Sequence, residues 1–282
     1  MDLGRGETFR NRAWIERTAA AVRGPLARSP LRAPLKRAYE AVLDRLPGDH
    51  LVSRFPGGES VRLAAAFRQV TWNPDEYRAF KADISPGAIV FDIGANLGAY
   101  SLLFAQWVGT AGHVYAFEPA PEARRGLARH VRLNHCDDRV TISPDAVSSA
   151  PGVVQFRAAG PDGDNRIVAA DAVSGGNRID VTATSIDACC AAQRLAPSFI
   201  KIDAEGAELE VLKGARQTIA TRGDALRVYV EMHSRLWPSV GCSRQQMEEE
   251  LARQRLAAER IDGHPDIWGL EGICLRLRRC AS

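Results

Sequence analysis

The sequence predicts an α/β fold: a doubly wound, mostly parallel sheet preceded by an N-terminal helical and hairpin extension. Three observations carry this. After Pro86-Gly87, β-rich runs alternate with helical ones, the pattern of βαβ units with helices on both faces of a sheet. The first such strand runs directly into the turn DIGANLG and then a helix. The 282 residues, 45% apolar and 25% charged, are ample for a packed core and unlike collagenous, disordered or disulfide-scaffold chains. A net charge of +3 is too small to stand as a nucleic-acid footprint, and no run approaches a membrane span.

The elements follow in order. Residues 1–49 carry ten Lys and Arg against six acids, broken by Pro25, Pro30, Pro34 and Pro47, and read as a peripheral basic arm. HLVSRFPGGESVRLAAA has a Pro-Gly-Gly turn between two short β runs and predicts a hairpin. In TWNPDEYRAFKADI, Asn73 is an N-cap signal before Pro74, acids follow in the first turn, and Tyr77 and Phe80 share a side, so a short helix is expected. Residues 1–83 form the extension and 84–282 the main domain. Its strands are AIVFDIG, HVYAFEP and RVTISPDAV, its first helices YSLLFAQWVG and PEARRGLARHVRLN. A two-strand insertion, VVQFRAA and RIDVTAT, brackets a polar Gly/Asp loop over 160–177, expected to be a mobile cover for the site. The rhythm resumes with SFIKIDAEG, a single helix AELEVLKGARQTIA, the strand LRVYVEMH, the helix SRQQMEEELARQRL and two closing strands near AAERID and ICLRLRR. Six cysteines show no C-x-x-C spacing, which excludes zinc-ribbon and redox motifs and suggests reduced thiols in the cytoplasm.

The turn carries the chemistry. Gly94 and Gly98 allow close backbone approach, and the amides of Ala95 and Asn96 lie at a helix start that receives polar groups. Glu118, twenty residues past Gly98 at the end of the next strand, is placed to accept both hydroxyls of a ribose. A dinucleotide pyrophosphate wants G-x-G-x-x-G and no carboxylate in the turn. Asp92 instead suits a ligand with a cationic amine and no phosphate, a description that S-adenosylmethionine meets. Asp145, with Ala146 beside it, follows the third strand and is placed to meet the adenine, or else is a simple turn residue after Pro144.

The strings VFDIGANLGAYS, VYAFEPAP and above all FIKIDAEGAELEVLKGA resemble the FkbM-type methyltransferases, over about Asn73 to Asp262. The resemblance implies a class I methyltransferase, Rossmann-like fold, with S-adenosylmethionine as cofactor and a hydroxyl of a sugar, glycan, polyketide or similar small molecule as acceptor. It makes Asp92, Gly94, Asn96 and Gly98 the methionine-side loop, Glu118 the ribose acid, and Asp203 the fourth-strand acid beside the donor methyl. Ala204 departs from the family, which often has Val there.

Open α/β sheets bind ligands at the carboxyl ends of their strands. The catalytic candidates there are Asp203 and Glu205 after IKID, and Glu231 and His233 in VYVEMH. His233 suits a general base by its ordinary pKa of about 6.5, or is a strand-end surface histidine. Asp203 acts in the site or caps the following helix; Glu205 caps that helix or orients a substrate hydroxyl. Lys201, two residues before Asp203 on one side of the strand, is expected to pair with it. An Asp, Glu, His set suits a divalent ion, but no tandem Asp-Asn or H-x-x-x-H spacing accompanies it, so no metal is expected. The competing functions are a nicotinamide-dependent oxidoreductase, disfavoured by the missing G-x-G, and a non-catalytic cofactor-binding module, disfavoured by the four clustered candidates. Nucleic-acid methylation lacks any Pro-Cys or Pro-Pro-aromatic signature. Oligomeric state has no sequence signal.

Overall fold

The structure is a computed structural model and describes residues 50–68, 70–158, 165–168, 177–268 and 272–280. The basic arm and most of the 160–177 loop, including its expected role as a cover, lie outside these residues. The chain divides into two compact units, Met1–Trp72 and Asn73–Ser282.

In the first unit, β1 (His50–Arg54) and β2 (Ser60–Ala64) form the expected antiparallel hairpin, with His50 opposite Ala64. Gly58 takes a φ of 90° in the turn, a left-handed conformation that a glycine adopts without steric cost. Phe55 packs edge-on against Trp72 at 5.0 Å between ring centroids.

The second unit opens with α1 (Pro74–Asp83), and the side chain of Asn73 accepts from the amides of Asp75 and Glu76 as its cap. Phe80 anchors this helix, meeting Tyr100, Phe104, Phe199 and Tyr229 edge-on at 4.9 to 5.8 Å. Phe199 and Tyr229 belong to the main sheet, so the helix packs against it. That sheet contains β3 (Ile89–Ile93), β4 (His113–Phe117), β5 (Val140–Ser143), β10 (Phe199–Ile202), β11 (Arg227–Met232), β12 (Leu256–Arg260) and β13 (Ile273–Arg279). Their spatial order is β12-β13-β11-β10-β3-β4-β5. Pairings from β5 across to β11 are parallel, and β13 runs antiparallel to both neighbours. The chain winds outward from β3 to β5, then returns to lay β10 on the other side of β3. The crevice between β3 and β10 is therefore the topological switch point, where such sheets hold ligands. Helices α2 (Ala99–Trp107), α3 (Pro121–Leu133), α4 (Ile186–Gln193), α5 (Glu208–Lys213), α6 (Arg216–Arg222) and α7 (Arg244–Arg253) supply the crossovers and flank the sheet.

Two expectations are corrected. The single helix from Ala207 to Ala220 is two, α5 and α6, broken at Gly214. A Cβ on Gly214 would lie 2.2 Å from the Ser148 carbonyl oxygen, so the chain bends where another backbone crosses it. Asp187 restarts the helix, accepting from the amides of Gln217 and Thr218 at 2.9 and 2.7 Å. The two-strand insertion is a four-stranded sheet: β7 (Gly152–Arg157) and β9 (Arg178–Thr184) are joined by the two-residue strands β6 (Ala146–Val147) and β8 (Arg166–Ile167), in the order β6-β9-β7-β8. Two-residue strands carry no periodicity from which to read them.

Candidate active site

The turn after β3 is tied to β4 and β10 by backbone. The amides of Gly94 and Ala95 both donate to the Phe117 carbonyl at 3.0 Å, and the Asp203 amide donates to the Ile93 carbonyl at 3.0 Å. Asn96, Gly94 and Gly98 take φ values of 48°, 76° and 84°. A Cβ on Gly94 would sit 1.8 Å from the Asp203 carbonyl oxygen, and one on Gly98 would sit 2.4 Å from Leu127 Cδ1. On their Cβ sides these glycines thus meet protein, where the sequence reading placed a ligand. They let the turn fold flush against β10 and α3.

Glu118 is buried and clamps the turn. Its Oε2 accepts from the Asn96 amide and its Oε1 from the Ala120 amide, each at 2.7 Å. Burial pushes its pKa up to about 7, against the pull of those two amides. Asp92 is buried at 1% exposure; Oδ2 accepts from the Ser101 hydroxyl at 2.5 Å, while Oδ1 has no hydrogen-bond partner among the described residues. Burial also raises Asp92 above the ordinary carboxyl range. Asp145 accepts from the hydroxyls of Ser143, at 3.0 Å, and Thr182. Buried Ala146 follows it in β6. Gly94, Glu118, Asp145, Ala146 and Asp203 line one crevice, whose outer wall is built by Phe156 and Ile167 of the insertion sheet. Sequence reasoning missed that wall, because Phe156 alternates on its strand in the same way whether it faces a core or a cleft, and Ile167 lies in a strand of only two residues.

On the other side of Asp203 lies a charged cluster. Lys201, in β10 and in register with Asp92, places its ammonium 3.0 Å from Asp203 Oδ2 and 4.0 Å from Asp92 Oδ1, the internal pair expected from the sequence. Burial pulls this lysine down, but Asp203 and Asp92 more than reverse it and hold it charged. His233 Nε2 faces Asp203 Oδ1 at 3.8 Å, Glu205 Oε2 at 3.7 Å and Glu231 Oε1 at 3.6 Å. All four catalytic candidates therefore converge. The helix after Asp203 has no side-chain cap. Glu205 sits in a left-handed turn at φ 46°.

Glu208, unremarked in the sequence because it reads as an ordinary first-turn acid, is fully buried at the base of this cluster. It accepts from the Gly206 amide at 2.8 Å and the Trp237 indole at 2.8 Å, and it meets His233 Nδ1 at 3.0 Å. With Nδ1 held, the imidazole edge presented to the cleft is Nε2. Burial opposes a charge on His233, but Glu208, Asp203 and Glu205 outweigh it and push the pKa up to about 10. The ring in this state offers a proton rather than a place for one. Glu231 is raised by burial and by Asp203. Glu76 of α1, also missed, is buried and bonded to Tyr100, and burial raises it as well.

A parallel sheet with an antiparallel penultimate strand, a clamped glycine turn at the switch point and an acid at the end of the second strand define a class I methyltransferase fold. The Methyltransferase FkbM domain model matches residues 92–256. The chain belongs to this family and is a methyltransferase. It is 29% identical to the 31-O-demethyl-FK506 methyltransferase FkbM of Streptomyces tacrolimicus, covering 60% of this chain and 74% of that protein. It is 26% identical to the hexuronic acid methyltransferase AglP of Haloferax volcanii, covering 64% and 70%. Among solved structures it is similar to the methyltransferase FkbM of Methylobacillus flagellatus KT, with a TM-score of 0.48 and 20% identity, covering 76% of this chain and 50% of that one, so the match spans half of that protein's length. No helix among the described residues is long and apolar enough to cross a membrane.

Proposed function

We propose that the protein is an S-adenosylmethionine-dependent O-methyltransferase that acts in the cytoplasm on a hydroxyl of a small molecule. The observation that carries this reading is the meeting, at one sheet edge, of a glycine turn clamped by buried Glu118 with the Asp203, Glu205, Glu231 and His233 cluster. The residues fit the cofactor. Each Glu118 oxygen takes one backbone amide, which leaves lone pairs for ribose hydroxyls. Asp92 Oδ1, which accepts no hydrogen bond among the described residues, is suited to a cationic amine, and Asp145 with Ala146 borders the crevice on the adenine side. When bound, the cofactor supplies an electrophilic methyl group, and transfer converts O–H to O–CH3 with release of one proton. The chain's own part is to hold the acceptor oxygen in line, at about 3 to 3.5 Å from the carbon it attacks. It also provides a carboxylate among Asp203, Glu205 and Glu231 for the released proton, a contribution of about 10² to 10⁴ in rate. The two relatives, one named for 31-O-demethyl-FK506 and the other for hexuronic acid, support an acceptor of the polyketide or sugar-acid kind.

Calorimetry with S-adenosylhomocysteine and NAD tests the cofactor: the first should bind at micromolar or tighter concentration and the second should not, and the reverse result would sink the reading. Transfer of a labelled methyl group to a panel of hexuronic acids, sugars and macrolide hydroxyls tests the reaction.

A further inference from the structure

We propose that Asp203, Glu231 and His233 form a binding site for a first-row divalent cation, of the Mn²⁺ to Zn²⁺ range. One oxygen of each carboxylate and one imidazole nitrogen lie within 4.8 Å of one another. An Asp, Glu, His set suits a divalent ion, yet no metal is expected from the sequence, because the residues come from two strand ends and no ligand spacing links them.

The independent observation is the state of His233. The residue is 9% exposed, and its Nε2 makes no hydrogen bond among the described residues, yet it points between three carboxylate oxygens at 3.6 to 3.8 Å. Those separations are too long for hydrogen bonds, whose heavy-atom distances cluster near about 2.7 to 3.2 Å. They are close to the spacing of atoms that share one ion at about 2.0 to 2.2 Å from each. Nδ1 is anchored by Glu208, which lies outside the ligand set and is itself fixed by Gly206 and Trp237. A carboxylate on the far nitrogen is the usual support of a metal-bound histidine, since it sets the ring's tautomer and direction. Asp203 divides its oxygens, Oδ2 to Lys201 and Oδ1 toward His233. Two carboxylates with one imidazole and no thiolate favour a borderline cation over a soft one. The cation takes the place of the proton on Nε2, and three protein ligands leave it positions for other donors. On the reading of the site as a methyl-transfer centre, an acceptor's oxygens would fill them, with Glu205 beside the set to take a proton.

Titrating the full-length protein with Co²⁺ alone and following its visible d–d absorption tests the site. Saturable bands at one equivalent are expected, with displacement by Mn²⁺ or Zn²⁺. Glu231→Gln and His233→Asn, both near-isosteric and both relieving crowded charge, should weaken Co²⁺ at least tenfold, whereas Glu118→Gln, on the cofactor side, should leave it unchanged. Absence of bands, or bands that persist in both cluster variants, overturns the site. Calorimetry with S-adenosylhomocysteine, run without metal, reports separately on the cofactor reading, so either can fail alone.

Discussion

On the proposed cofactor reading, Glu118 joins two demands that pull in opposite directions. Burial favours its protonated form, while a ribose pair that donates two hydrogen bonds requires the carboxylate. With a pKa pushed up to about 7, S-adenosylhomocysteine should bind more tightly as pH rises from 6 to 8, by roughly tenfold, and calorimetry in Glu118→Gln should lose that slope. Replacement by Ala should weaken binding by about 1 to 3 kcal/mol. His130 carries a linkage of its own. Its buried ring meets the Leu97 carbonyl at 2.7 Å, and burial depresses its pKa to about 4. The unfolded chain accepts a proton near 6.5 that the folded chain refuses until about 4. Stability is therefore present above 6.5 and lost as pH falls through that window, by about 3 kcal/mol. Urea unfolding of His130→Asn, which keeps a donor for Leu97, should show this part of the acid slope removed; an unchanged slope would assign it elsewhere. Asp92, Glu118, Asp203 and His233 were legible because each ends a strand whose pattern is clear. Glu208 was not, since only the fold turns that first-turn acid inward beneath His233.

Among the elements, the break between α5 and α6 is the most testable. Asp187 also accepts from the Thr218 hydroxyl at 2.7 Å, so Asp187→Ala removes a cap and leaves two amides of α6 without it. A loss of about 1 to 2 kcal/mol is expected from chemical denaturation. Gly214→Ala must displace the Ser148 carbonyl and should cost about 1 to 3 kcal/mol as overpacking does. The sequence showed apolar residues at helical spacing on both sides of Gly214 and nothing local to say that a distant carbonyl crosses there. The hairpin, α1 with its Asn73 cap and the parallel strands were readable for the converse reason: caps, turns and alternation are local signals.

Across the whole molecule, the two proposed roles divide at the sheet's switch point. Strands β3, β4 and β5 carry the glycine turn, Glu118 and Asp145, while β10 and β11 carry the acidic cluster. Substitutions in the second half, such as Glu205→Gln or Asp203→Asn, should leave cofactor affinity within about tenfold, or 1.4 kcal/mol, yet lower kcat. Equal turnover in both variants on an acceptor the parent protein methylates would make the cluster structural. The two halves nevertheless share one ammonium. Lys201 stands between Asp92 and Asp203, so a positive group arriving at the first carboxylate repels the lysine toward the second. Ligands of the two halves should then be thermodynamically linked, each altering the other's affinity by the same factor whichever binds first.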